Sequence, residues 1–442
     1  MKLARKLAYS FGAVATALSY QAFSTYIIFF YVDIVKLPPH LAAAGMVIYA
    51  IWNAINDPLV GYLSDHTHSR WGRRIPYIAF GAIPFGFVSY MLWRPPFTEA
   101  AQVFPLFLYF VFFICLFDAF YTITILNWSS LYPEMFPHFK ERSRVNAFRQ
   151  TFGLIGLVLG VVFPPLIFTT WGWGTLGIIF GCAISISLLI ALWGSREHLE
   201  YSQEKQLPLL ASFKATIKNK SFLTFVFSNL FVQYSFTLIL ATIPFFMKYL
   251  LDEPAHSTAA VLAVAFLAAI PMLYVWQQIV IRFSAKKSFM LAMVVLAFSL
   301  APLFFVQTFS GALFTAFLLG IGLSGFIEIV DLVISDVIDE DETKTGTRRE
   351  GMYFGANAFI TRFAIGLEAI SMGLVFVWTG YNPYIFTQTP EFLIGLRALI
   401  AGLPLIAILL ALLIISFYPL SGQGLREMKT ELKKIHLKKG VT

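Results

Sequence analysis

The sequence predicts an all-α membrane protein: twelve transmembrane helices in two bundles of six, with cytosolic termini. Three observations predict it. Of the 442 residues, 58% are hydrophobic and 13% charged, whereas soluble domains are about 45–50% apolar and about 25% charged. That share is about 256 apolar residues, against the ~240 that twelve helices of ~20 residues need. Long apolar runs can be counted six before and six after one polar interval. Lysine and arginine are distributed unevenly between alternate breaks. A cytosolic enzyme is already excluded.

In chain order, the runs fall near 8–35, 41–63, 76–93, 103–133, 145–169 and 174–194, then 221–250, 258–281, 288–307, 311–335, 351–379 and 392–418. Between the sets, Ser195 to Lys220 carries Arg196, Glu197, Glu200, Glu204, Lys205, Lys214, Lys218 and Lys220. It reads as a cytosolic linker. The expected organisation is a bundle over 1–194, a linker over 195–220, a bundle over 221–418 and a cytosolic tail over 419–442. With this count, 26 of the 32 cations lie on the side of the termini and four opposite, as the positive-inside rule requires. The basic residues are dispersed among loops, so +8 marks topology and not a nucleic-acid surface. Cys115 and Cys182 lie in apolar runs and form neither a disulfide framework nor a metal motif.

Three look-alike signals are set aside. Ala15-Thr16-Ala17 imitates a signal-cleavage site, but the apolar run continues to Tyr31. Gly320-Ile321-Gly322-Leu323-Ser324-Gly325 matches a dinucleotide fingerprint inside an apolar span with no preceding strand, so close helix packing is expected there. The same packing is expected at Gly156 and Gly160. The Asn127-Trp128-Ser129 sequon lies at membrane depth.

Ionisable residues inside spans cost roughly 2.5–3.5 kcal/mol each and are functional candidates. They are Asp57, Asp118, Glu328, Asp331, Arg362 and Glu368, with Arg149 near the start of the fifth run. On the second run, Asn53, Asn56 and Asp57 share one helical face. Their oxygens suit a small hard cation such as sodium, and the carboxylate could instead carry a proton. Asp118 and Thr122 stand one turn apart on the fourth run, at the depth of Asp57. The alternative for Asn56-Asp57-Pro58 is a helix cap or kink. Arg362 is either a cation for substrate hydroxyls or anions, or half of a fixed pair with Glu328 and Asp331.

The loop after the second run reads Gly61-Tyr62-Leu63-Ser64-Asp65, then Ser69-Arg70-Trp71-Gly72-Arg73-Arg74-Ile75-Pro76. This resembles the cytosolic loop motif of the major facilitator superfamily. Together with Asn56-Asp57-Pro58, it is similar to the glycoside–pentoside–hexuronide:cation symporters, the melibiose permease-like family. Tyr9-Ser10-Phe11-Gly12, Leu131-Tyr132-Pro133-Glu134 and Asp336-Val337-Ile338-Asp339 extend the resemblance over both halves, from about residue 7 to 380. It implies a major facilitator fold and cation-coupled solute uptake by alternating access.

The resemblance also implies a cation site of two acids and an asparagine from the second helix and a threonine from the fourth. Asn56, Asp57 and Thr122 match, whereas Asn53 stands where the first acid would be. The eleventh-helix cation falls on Arg362, an arginine for a lysine. The family's sugar-binding acids fall at Thr16–Ala17 and Thr124–Ile125, where there is no carboxylate. The same fold serves sodium-dependent lysophospholipid transporters, whose cavities are more apolar.

The expectation is symport of a sugar or glycoside with Na+ or H+. Asp57, Asn53, Asn56 and Thr122 hold the cation, with Na+ at Asp57, and Arg362, Trp128, Tyr20, Arg149 and Asp118 line the substrate path. Asp65, Arg73, Arg74, Arg142, Asp336, Asp339 and Arg348 are read as a cytosolic gate, with a solvated loop as the alternative. An amphipathic cargo such as a lysolipid, or uncoupled facilitation, are the rival transport readings. A membrane enzyme lacks its motifs: HExxH, a nucleophile elbow and a phosphate loop are absent, and the seven histidines are scattered. No cofactor is expected, only the coupling ion. The expected partners are the solute and lipids of a bacterial or archaeal inner (plasma) membrane, around a monomer.

Overall fold

The computed structural model describes residues 2–67, 69–97, 102–136, 139–197, 216–345 and 350–438. Twelve long helical segments form among these residues. They are α1 (Leu3–Ile34), α2 (Pro39–Asp65), α3 (Ile75–Leu92), α4 (103–135), α5 (139–171) and α6 (173–194). They continue with α7 (Lys220–Leu250), α8 (Ala255–Phe283), α9 (Ala285–Phe304), α10 (Phe309–Thr345), α11 (350–378) and α12 (390–416). A shorter helix, α13 (Gly422–Lys438), follows. No strand occurs among the described residues. In hydrocarbon every backbone polar group must be satisfied within the segment, which leaves the helix as the open-chain solution.

Each boundary has a local cause. Pro39 sits in the first turn of α2, where its missing N–H is not needed. The α2 helix then runs through Pro58 to Asp65, so Asn56-Asp57-Pro58 does not cap it. The α5 and α6 helices abut at Gly172, whose φ of 81° breaks the helical path; glycine adopts it without a Cβ penalty. Among the described residues four π-helical turns interrupt the long helices, at Phe29–Ile34, Thr122–Leu126, Phe246–Leu250 and Ala398–Gly402. Such turns re-aim side chains and often mark function. Three of the four carry polar groups discussed below.

The chain divides into two compact units. The first comprises Met1–Lys205, Leu240–Ala260 and Ala369–Leu393, and the second Gln206–Ile239, Val261–Glu368 and Ile394–Thr442. In the first unit, a Cβ at Gly156 would stand 2.7 Å from the Val14 carbonyl oxygen, and one at Gly160 2.8 Å from that of Leu18. These glycines let α5 lie backbone-close against α1. In the second unit, Gly320 admits the Ala265 backbone of α8, Gly322 the Leu296 backbone of α9, and Gly325 the Trp276 ring. The apparent fingerprint is therefore a packing face. Tyr9, Phe23, Tyr26, Tyr31, Phe85 and Phe110 are buried in the first unit, while Phe80, Phe87, Phe104 and Phe112 are exposed. Large apolar side chains exposed on helices of membrane-spanning length are what a lipid-facing surface presents.

Candidate cation site and substrate path

A buried polar cluster joins α2 to α4 in the first unit. Asn53, Asn56, Asp118 and Thr122 are all nearly sealed from solvent, and Asp57 is half-buried. Asn53 Nδ2 donates to Asp118 Oδ1. Asn56 Nδ2 shares its two protons among Asp118 Oδ2 (3.0 Å), the Asp118 carbonyl oxygen (3.0 Å) and Thr122 Oγ1 (2.9 Å). Thr122 Oγ1 in turn donates to Asp57 Oδ1 at 2.8 Å. Asp118, Asn56, Thr122 and Asp57 thus form one continuous chain with a carboxylate at each end.

Local geometry explains the convergence. Asn53, Asn56 and Asp57 project from one face of α2. Thr122 opens the π-helical turn of α4, and Asp118 lies one turn before it. The Asn53 Oδ1 atom is buried without a hydrogen-bond partner. Asp118, expected on the substrate path, has its carboxylate against the amides of Asn53 and Asn56, both expected to hold the cation. The signal was present in the one-turn spacing of Asp118 and Thr122, but their partner helix could not be read from it.

The other substrate candidates are dispersed. Trp128 is buried: its Nε1 donates to the Tyr9 carbonyl oxygen (2.9 Å), while Tyr9 Oη donates to the Trp128 carbonyl oxygen (3.0 Å). Its ring lies 5.4 Å from that of Tyr9 in a stacked pair, and the Arg149 guanidinium sits 4.7 Å above it and 4.5 Å from Tyr132. A half-buried cation over two aromatic faces is favourable, so Trp128 and Arg149 clasp α1, α4 and α5. Tyr20 is half-buried, its ring 6.1 Å from that of Tyr121 beside Thr122. Thr16 and Thr124 spend their hydroxyls on the carbonyl oxygens of Gly12 (3.0 Å) and Phe120 (2.8 Å). Arg362, in the second unit, marks the break between Glu350–Thr361 and Phe363–Trp378. In that unit Glu368 is fully buried and hydrogen-bonded with Thr237.

Of the gate residues, Arg348 lies outside the described residues, as do the side chains of Asp65 and Arg142. Arg73 and Arg74 converge on Glu197, which lies in the stretch expected as the linker. Its carboxylate accepts the backbone N–H groups of Arg73 and Arg74, both at 3.0 Å, and of Ile75 at 3.4 Å. That is an anion seated at the N-terminus of α3. Arg73 Nε also stands 3.5 Å from Glu197, and Arg74 Nη1 donates to the Ser130 carbonyl oxygen. Gly72 has φ of 104°, and a Cβ there would strike the Glu197 carboxylate. In the second unit, Asp336 pairs with Lys429 of α13 at 3.1 Å, while Asp339 is half-buried.

Residues 8–422 match the family described as MFS/sugar transport protein. Similar chains include the sodium-dependent lysophosphatidylcholine symporter 1 of Gallus gallus, 24% identical over 98% of this chain and 90% of that one. The isoprimeverose transporter of Lactiplantibacillus pentosus is 25% identical over 85% of this chain and 80% of its own. Among solved structures, the nucleoside transporter NupG superposes with a TM-score of 0.70 at 14% identity, over 93% of this chain and 99% of that one. The last likeness concerns the fold.

Proposed function

This chain belongs to the MFS/sugar transport protein family, and from that premise we propose that it moves a sugar or glycoside together with Na+ by alternating access. It is a multi-pass membrane transporter and not an enzyme. In this reading both termini face the cytosol of a plasma membrane, and 1–194 and 221–418 are the two rocking bundles.

The observation that carries the cation reading is the pair of carboxylates at the ends of one hydrogen-bonded chain. The acid missing at Asn53 is supplied by Asp118, whose carboxylate accepts the Asn53 amide. Two carboxylates, a threonine oxygen and two amide oxygens are a hard donor set of the kind that suits Na+. Asn53 and Asn56 serve both states: an amide turned over presents its oxygen to an ion where its nitrogen otherwise serves Asp118.

A second reading, an amphipathic solute such as a lysolipid, is favoured by Thr16 and Thr124. They stand where sugar-binding acids are expected and spend their hydroxyls on their own helices. The test is the melting temperature of the purified protein with sugars and with lysolipids, each in Na+ or K+ at two pH values. A ligand at 100 times its Kd stabilises the folded state by about 2.7 kcal/mol. The expected result is stabilisation by a sugar in Na+ and not in K+. Stabilisation by lysolipids alone overturns the sugar reading, and indifference to Na+ overturns the coupling.

A further inference from the structure

At the Ile34 end of α1, Asp33 sits in a π-helical turn with its side chain sealed from solvent. Oδ2 accepts Lys248 Nζ at 2.6 Å, and Oδ1 accepts Tyr381 Oη at 2.6 Å and Tyr249 Oη. The two phenol oxygens are 3.3 Å apart. Lys248 and Tyr249 come from the π-helical turn of α7, and Tyr381 from the segment between α11 and α12. Three residues on, Lys36 donates to the Pro383 carbonyl oxygen and lies 5.7 Å from the Tyr384 ring centroid. All these residues lie in the first compact unit.

We propose that Asp33 is the catch of a gate at this end of the transporter, held shut here by Lys248, Tyr249 and Tyr381. The proposal rests on the alternating-access reading, in which this end faces outward. The first half of the chain meets the second here at a buried carboxylate, with the Lys36 contacts and the Phe29–Phe245 ring pair beside it. A carboxylate so deeply buried is tolerable only while its donors stay in place, and removing a partner from such a pair is costly. Separation becomes cheap when both partners pass to water together. Lys248 is already 30% exposed, and with Phe29, Trp173 and Glu253 it lines a cavity of about 540 Å³. Solvent-sized space therefore stands one side chain from the carboxylate, and in the proposed gate the contact alternates between sealed and hydrated. The charged and titratable groups around Asp33 are Lys36, Lys248, Tyr249 and Tyr381. Burial pushes the Lys36 ammonium below its ordinary range, opposed by Asp33 and reinforced by Lys248.

The test uses full-length protein carrying Cys115→Ala and Cys182→Ala, with spin labels at exposed His40 and Glu391. Double electron–electron resonance then reads the distance without any solute. The parent should show a short distance, with a longer one at about 10% or less. Asp33→Asn should raise the long-to-short ratio roughly 100-fold, and the swap Asp33→Lys with Lys248→Asp should bring it back. If Asp33→Asn does not fold, Tyr381→Phe removes one hydrogen bond and should raise the ratio about 10-fold. A distribution unchanged in whichever variant folds overturns the gate and leaves a fixed clamp. If the ratio moves yet no solute or cation alters it, the gate stands and the symport reading falls.

Discussion

Two buried polar clusters in the first compact unit solve the same problem with different chemistry. Asp33 is met by an ammonium and two phenols. Asp118 and Asp57 are met by asparagine amides and a threonine hydroxyl. Lysine has no acceptor and both phenol hydroxyls are spent donating to Asp33, so this contact compensates the charge, and release of its donors to water undoes it. Asparagine and threonine also carry oxygens, so the α2–α4 cluster can turn toward a cation. In the proposed reading, a buried acid beside a cation holds or lets go, and paired acids among amides bind an ion. Each cluster lies at a π-helical turn, where the chain departs from the 3.6-residue register.

The largest effect belongs to the charge-balanced cluster. Lys248→Met leaves Asp33 buried without its cation and should destabilise the protein by about 3–5 kcal/mol. Asp33→Asn with Lys248→Met removes both charges and should return within about 1–2 kcal/mol of the parent. Thermal unfolding of the three proteins checks this. A double variant as unstable as Lys248→Met would break the comparison, since packing rather than charge would then dominate.

The charge-rich cluster should respond in ion binding rather than in folding. Asp118→Asn should weaken Na+ binding about 100-fold, since an ionic contact contributes about 1.5–3 kcal/mol and each 1.4 kcal/mol is tenfold. Adding Asn53→Asp moves the lost acid from α4 back to α2 and should recover binding to within about 10-fold. Na+-dependent melting shifts provide the readout. If Asp118→Asn binds Na+ like the parent, Asp118 is not part of the site.

Another buried carboxylate sharpens the contrast because backbone amides cap it from the helix side, with the Arg73 guanidinium beside them. Glu197 sits on the first N–H groups of α3, and Gly72 holds φ of 104° beside it. Gly72→Ala should cost about 2 kcal/mol by forcing a Cβ into a left-handed conformation and against the carboxylate. Glu197→Ala should cost about 1 kcal/mol. The double variant should cost less than the sum, because the clash is gone.

The helices were legible because hydrocarbon admits little else, and the apolar runs match α1 to α12 within a few residues, except that α5 begins earlier and α10 continues past 335 to Thr345, carrying Asp336 and Asp339 in the helix. The α2 face was legible for the same reason: Asn53, Asn56 and Asp57 follow helical spacing. What spacing cannot carry is which helix faces which. Asp118 therefore read as a neighbour of the substrate, although the Asn53 amide meets it. Trp128 read as an aromatic face for a sugar, although its N–H is committed to the Tyr9 carbonyl oxygen. Asp33 and Glu197 were illegible for a further reason. Their partners lie 215 and 123 residues away, and only the fold brings them together. Glycine was the exception, since Gly156 and Gly160 announced a close approach without naming Val14 and Leu18 as what approaches.

The smallest effect concerns an acid near the surface, where the contrast between compensation and binding should fade. Lys6 stands 2.6 Å from Glu141, with side chains 14% and 23% exposed. The hydrogen bond from Lys6 holds the Glu141 carboxyl below its ordinary range. A depressed carboxyl stabilises the fold fully above its unfolded value, near 4.5. That contribution is lost as pH falls through the lower folded value. A pair this accessible to water should contribute under about 1 kcal/mol and weaken with salt. Melting curves from pH 6 to pH 3 should therefore differ slightly between the parent and Lys6→Met, with the gap closing at the acid end. A gap as large as that of Lys248→Met would mean that water does not soften this pair, and burial would no longer explain why the Asp33 contact is the stronger of the two.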